Sequence, residues 1–159
     1  MNASVLTTIG FAAIALTAGA LVSYQAGANA TLGRAIGHPL WATVVSLTVS
    51  LLVAIPVMLL MRVPAPTVGP AATHLPAWAW LGGVAGGIYV TSALLLTPRM
   101  GATNFIVCVV AGQILASLLI DHFGLVGLPV REVNFGRVAG AALIFVGMLL
   151  VQWFTPRAQ

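Results

Sequence analysis

Of the 159 residues, 60% are hydrophobic and 5% are charged: six arginines, no lysine, Asp121 and Glu132. Soluble domains carry roughly 25% charged residues, so these few charges cannot cover a water-soluble surface. At about 20 apolar residues per crossing, the length allows at most about six or seven membrane-spanning helices and little else. The net charge of +4 reflects scarce acids. No arginine cluster offers a stripe that could track a phosphate backbone, which argues against nucleic acid as a partner.

The N-terminal MNASVLTT has no Arg or Lys ahead of its apolar stretch. It lacks the charged region of a signal peptide and is expected to stay as part of the first span. That span runs over about 5–33, longer than a minimal crossing, so it is tilted, broken near a glycine, or carried past the interface. Arg34, Gly37, His38 and Pro39 end it, because proline disfavours helix in the residue before it. The second span, 41–61, stops at Arg62 ahead of Pro64, Pro66 and Pro70, and Pro56 is placed to kink its last turns.

A third span covers 77–97, entered after Pro76 and closed by Pro98-Arg99. The short connection to a fourth, 103–120, makes these two antiparallel neighbours. Asp121-His122 end the fourth, a Gly/Pro-containing polar loop follows, and a fifth span covers 135–154. The reading is a single all-α transmembrane domain over 1–159 with five spans. Trp41, Trp78, Trp80 and Trp153 all fall at span ends, where amphipathic rings sit among headgroups.

Five spans put the termini on opposite sides. One side then carries Arg62, Arg131 and Arg137, the other Arg34, Arg99 and Arg157. Orientation follows Lys/Arg asymmetry in short loops, and this chain has none. Copies inserted both ways would form an antiparallel homodimer of ten helices, reproducing with two chains the inverted repeat of many transporters. A single orientation set by another factor, or a pair with a sister protein of opposite bias, are the alternatives.

Small residues suit close helix packing where lipid supplies no hydrophobic drive. Gly82, Gly83, Gly86 and Gly87 lie in the third span, and Gly136 and Gly140 open the fifth; Gly19, Ser23 and Gly27, and Ser46 and Ser50, repeat the spacing. No acid or histidine lies near a span centre, which weighs against a proton relay or a carboxylate cation site. The neutral polar set is the candidate solute site. Gln25 and Asn29 share a face of the first helix at i,i+4, with Tyr24 beside them, Tyr89 mid-way along the third, and Gln113 on a stripe with Ser117 and Asp121 in the fourth. Amides in hydrocarbon need partners, so they either join helices, face a solute, or do both.

Cys108, the one cysteine, excludes an intramolecular disulfide framework and a CxxC site and reads as a small hydrophobe. There is no nucleophile–base set, no HExxH and no phosphate-cradling loop, so neither an enzyme nor a cofactor or metal is expected.

Three ordered blocks carry a resemblance: YQAGANATLGRAIGHPLWATVVS (Tyr24–Ser46), PAWAWLGGVAGGIYVTSALLLTPRMGA (Pro76–Ala102) and AGQILASLLIDHFGLVG (Ala111–Gly127). Together they resemble the short, five-helix YdcZ-type family of bacterial inner-membrane proteins in the drug/metabolite transporter superfamily. The resemblance implies a multi-pass protein of the bacterial plasma membrane that exports a small molecule. Ten-helix members of that superfamily look like two fused inverted halves of five. Its four-helix multidrug exporters rely on a glutamate in the first helix, where this chain has Gln25 and Asn29 and no acid. Proton-coupled export of cations is therefore in doubt, with neutral and anionic solutes open.

The expected function is secondary transport by alternating access in an antiparallel dimer, with Tyr24, Gln25, Asn29, Tyr89 and Gln113 facing a solute of unknown identity. A passive channel on the same dimer and a non-transporting accessory subunit are the rivals. Lipid, solute and a second copy are the expected partners.

Overall fold

The computed structural model describes residues 3–66, 69 and 75–156, and only the backbone over 3–6. Pro70 and Arg157, both used above, lie outside the described residues. The described chain is all-helical: α1 (Ala3–Ala35), α2 (Pro39–Leu60), a 3-10 turn (Ala77–Leu81) leading into α3 (Gly82–Met100), α4 (Ala102–Phe123) and α5 (Phe135–Phe154). Five helices among the described residues are long and apolar enough to cross a membrane. Their continuity follows from composition, since an interior with neither water nor charge leaves backbone N–H groups only their own i−4 carbonyls.

α1 continues unbroken for 33 residues, through Gly10, Gly19 and Gly27. At about 1.5 Å per residue it is about 50 Å long, well beyond a ~30 Å hydrocarbon core; of the three expectations for this span, the break near a glycine is not seen. α2 likewise stays one helix across Pro56. α3 closes one turn later than the sequence suggests, with Pro98 inside its last turn. Gly101 alone then separates α3 from α4, with φ 83° and ψ 150°. That backbone conformation is essentially closed to residues bearing a Cβ, which is how a single residue ends one helix and starts the next.

The helices fall into two compact units. The first joins α1, α2 and the Gly86–Pro98 part of α3. α1 and α2 form an antiparallel hairpin whose turn is set by His38, the N-cap of α2. Its Nδ1 accepts from the Leu40 N–H at 3.2 Å, and Pro39 occupies the first turn, where it has no N–H to leave unpaired. Ala42, Val90 and Leu94 are its buried cluster, with Leu32 and Tyr89 packed against them.

Small side chains at Ala26, Ala30 and Ala93, all buried, let the backbones approach. The closest approach is at Gly33. A Cβ there would stand 3.3 Å from Leu94 Cδ2, 3.3 Å from Pro39 Cα and 3.6 Å from the Ala42 Cβ. The proline backbone cannot swing aside as a side-chain tip can. Gly33→Val is therefore expected to cost about 1–3 kcal/mol by overpacking, read as a lower unfolding temperature in detergent. Unchanged stability would show that α1 and the α2 turn are less tightly apposed than this geometry requires.

The second unit comprises Pro66–Ala85 and Arg99–Gln159 and is built on the antiparallel pair α4 and α5. Among its described residues Phe105, Ala111 and Ala141 are buried. Polar contacts tie the pair at both ends. Where α4 begins and α5 finishes, Thr155 Oγ1 donates to Asn104 Oδ1 at 3.0 Å and Gln152 Nε2 to Cys108 Sγ at 3.0 Å. Where α4 finishes and α5 begins, Arg137 Nη2 donates to Asp121 Oδ2, and Arg137 Nη1 to the Arg131 carbonyl at 3.2 Å. The Arg131 N–H returns a bond to the Asp121 carbonyl at 2.7 Å, and Asn134 caps α5 by accepting from the Arg137 N–H at 2.9 Å.

The glycines read as packing faces are open among the described residues of their own units. No atom of its own unit lies within 4 Å of a Cβ built at Gly82, Gly83, Gly86, Gly87 or Gly140, and Gly136 meets only Asn134 Oδ1, at 3.4 Å. The close packing in the first unit instead uses Gly33 and the alanines, while a Cβ built at Gly19 or Gly27 meets no described atom of that unit within 4 Å.

Candidate solute site

Three of the five candidate side chains meet in the first unit. Asn29 Nδ2 donates to Ser46 Oγ at 2.9 Å, and Gln25 Nε2 reaches the same oxygen at 3.3 Å. The i,i+4 spacing stacks the two amides on one face of α1, and one hydroxyl of α2, with two acceptor lone pairs, receives both. Each amide is thus half-satisfied and its orientation set. The carbonyl oxygens of Gln25 and Asn29 take no hydrogen bond from a described residue. Nearby, Thr43 and Thr91 hydroxyls lie 3.3 Å apart, a polar tie from α2 to α3.

This cluster separates two spaces. On one flank is a cavity of about 10 Å³ where Gln25 and Asn29 meet Tyr89, closed by Val22, Ala26 and Ala93; that is room for about one water molecule. On the other is an open groove of about 270 Å³ along the α1–α2 hairpin. Its polar lining is Tyr24, Gln25, Asn29, Ser46 and Ser50, and its apolar walls include Leu32, Val45 and Val49. Tyr24 is 74% exposed and stands at this groove rather than at the cavity. Gln25 lies ten residues before the end of α1, about 15 Å along the axis, which is mid-depth of a ~30 Å core if Arg34 in the last turn marks the interface.

Gln113 does not join this cluster. It belongs to the second unit, exposed on α4, and makes no hydrogen bond with a described residue. Of its stripe-mates, Ser117 donates to its own helix at the Ile114 carbonyl and Asp121 takes Arg137. Sequence reasoning assigned Ser46 to helix packing and passed over Thr43 and Thr91. A signal for Ser46 was present: Asn29 and Ser46 each stand eight residues from the Gly37–His38 turn. In an antiparallel hairpin that places them at one level.

Charged side chains keep to helix ends. Arg34 lies in the last turn of α1, Arg99 in the last turn of α3, and Arg62 just beyond α2. Trp41, Trp78, Trp80 and Trp153 are all exposed near helix ends. Neutral amides at mid-helix, charges and indoles at the rims, and five helices of spanning length define a multi-pass membrane protein.

The comparison with known families sharpens that class. The family model described as "Putative inner membrane exporter, YdcZ" matches residues 10–150, and the chain belongs to this YdcZ family of inner-membrane proteins. It is also 34% identical over 74 residues to the "Inner membrane protein YdcZ" of Escherichia coli (strain K12). That match takes in 46% of this chain and 49% of the relative, so the chain spans about half the length of the curated relative it matches. No solved structure matches the chain.

Proposed function

We propose that the protein is a secondary exporter of a small molecule, working by alternating access as an antiparallel homodimer of the drug/metabolite transporter type. The observation that carries the reading is the Gln25–Asn29–Ser46 cluster at mid-helix, beside an open groove and in a family described as inner-membrane exporters. Two amides at hydrocarbon depth are costly unless they serve a polar partner, and one hydroxyl satisfies only part of their capacity. The family description points the same way, and away from catalysis.

The dimer has separate support. The arginines divide three and three between the two sides, and Gly82, Gly83, Gly86 and Gly87 each meet no described atom of their own unit, as a face reserved for a partner helix would. In such a dimer the two access states interconvert when the copies exchange roles. The bilayer, the solute and the second copy are then its partners.

Gln25→Ala and Asn29→Ala should each lower flux about tenfold in proteoliposomes, as loss of a hydrogen bond worth ~1.5 kcal/mol does. The cross-linked dimer should form as before. The transported solute would come from a ligand-stabilisation screen of the purified chain, and saturable, concentrative uptake distinguishes a carrier from a pore. Full transport by both variants removes these amides from the site.

A further inference from the structure

The two spaces beside the amide cluster differ in what they can hold. The cavity shared with Tyr89, at about 10 Å³, admits no solute larger than water. The groove, at about 270 Å³, approaches the lower range of small-molecule sites. Its lining is mixed in a specific way. Five hydrogen-bonding side chains, Tyr24, Gln25, Asn29, Ser46 and Ser50, face apolar walls, and none of the lining residues is Asp, Glu, Lys, Arg or His. Arg34, the nearest charged residue along α1, does not line the groove; its Nη2 donates to Thr31 Oγ1 at 3.1 Å.

A charge brought to this depth loses its hydration and meets no counter-charge, a penalty that hydroxyls and amides do not offset. An inverted second copy would not change this. Its charges also sit at helix ends, so a mid-depth site between two copies stays uncharged.

Building on the exporter reading, we propose that the transported solute is an uncharged amphipathic molecule. Its polar groups bond the amides of Gln25 and Asn29, and its apolar part lies on Leu32, Val45 and Val49. The amide carbonyls, free of described partners, accept from its donors. Tyr24 gives to its acceptors, and Ser50, whose hydroxyl donates to the Ser46 carbonyl at 3.0 Å, accepts from its donors. Anions and cations of the same skeleton are rejected for want of a partner charge, so selection is by charge before shape.

The test uses trios of closely matched size that differ in charge: N-acetylphenylalaninamide (neutral), N-acetylphenylalaninate (anion) and N,N,N-trimethylphenylalaninamide (fixed cation), with the matching leucine trio. Equilibrium binding of the radiolabelled compounds is measured on the full chain in lipid nanodiscs, alongside Asn29→Ala and Ser46→Ala. The neutral members should bind at least about tenfold more tightly than either ion, as burial of an unpaired charge demands, and that binding should fall in both variants. If an ion binds as well or better and its binding still falls in the variants, the solute site stands and neutrality is overturned. If no member binds, as when the groove only seats a lipid chain, both this inference and the exporter site fail.

Discussion

Asp121→Arg is expected to lower the unfolding temperature of the purified chain sharply, and adding Arg137→Asp to restore it. In the native chain Arg137 and Asp121 pair with side chains 33% and 24% exposed, neither fully wet nor fully buried. Putting a second guanidinium where the carboxylate was replaces attraction with repulsion at the same spot. For a pair partly open to solvent the cost is about 1–3 kcal/mol, between the values for exposed and buried pairs. The single Arg137→Asp should do comparable damage by setting two carboxylates together.

The double exchange should do more than recover. Asp121 sits in the last turns of α4 and Arg137 in the first turn of α5. Each charge is therefore at the end of its helix where the backbone dipole disfavours it, and exchanging them puts both where it favours them, for about 0.3–1 kcal/mol each. Both positions belong to the same side of the membrane in a five-span chain, so the exchange leaves the arginine balance untouched. A doubly exchanged chain no more stable than its single parents would mean that the two side chains act independently.

The second large effect concerns insertion. If the even split of arginines sets the proposed dual orientation, wild-type terminal tags should be accessible from both faces, in about equal shares. Arg62→Gln and Arg99→Gln each remove a charge from opposite sides, leaving two against three. The first should shift most copies to one orientation and the second to the other, each with loss of transport. Expressing the two together should restore transport by supplying both orientations. Wild-type tags accessible from one face only would rule out the dual arrangement, and transport by each variant alone would show that a single orientation suffices.

Composition and punctuation made the all-helical, five-span reading available from the sequence. Runs of about 20 apolar residues admit no other hydrogen-bonding solution, and Pro39, the Pro98-Arg99 pair and Asn134 mark places where helices begin or end. Continuity was harder to see. Glycines cannot be read as breaks when neighbouring residues and apolar surroundings favour helix, so α1 passes through four of them. Pro98 sits in a last turn because a proline removes only one backbone bond there, while the real stop is Gly101, whose φ of 83° is invisible to hydrophobicity.

The site was legible as far as one helix face carries. Gln25 and Asn29 share a face by periodicity alone, and they do converge. Their acceptor lies on another helix, and finding it needs the level of Ser46 relative to the turn as well as its residue type. Gln113 shows the limit from the other direction. Polar character in a span says that a partner is needed, and it says nothing about whether the partner is in the same chain. The glycine face from Gly82 to Gly87 raises the same question, since its spacing tells of closeness without naming the neighbour.

The confinement of charge to helix ends has an electrical consequence. The transmembrane voltage acts on charges that move through the field, at about 2.3 kcal/mol per elementary charge per 100 mV. Between the rims of α1 to α5, the described residues include no ionised side chain to be carried across. Helices rearranging within the hydrocarbon would transfer almost no gating charge. The resting potential of the cell therefore has little grip on the described helices, and any voltage sensitivity of the proposed transport would have to come from an ion carried with the solute.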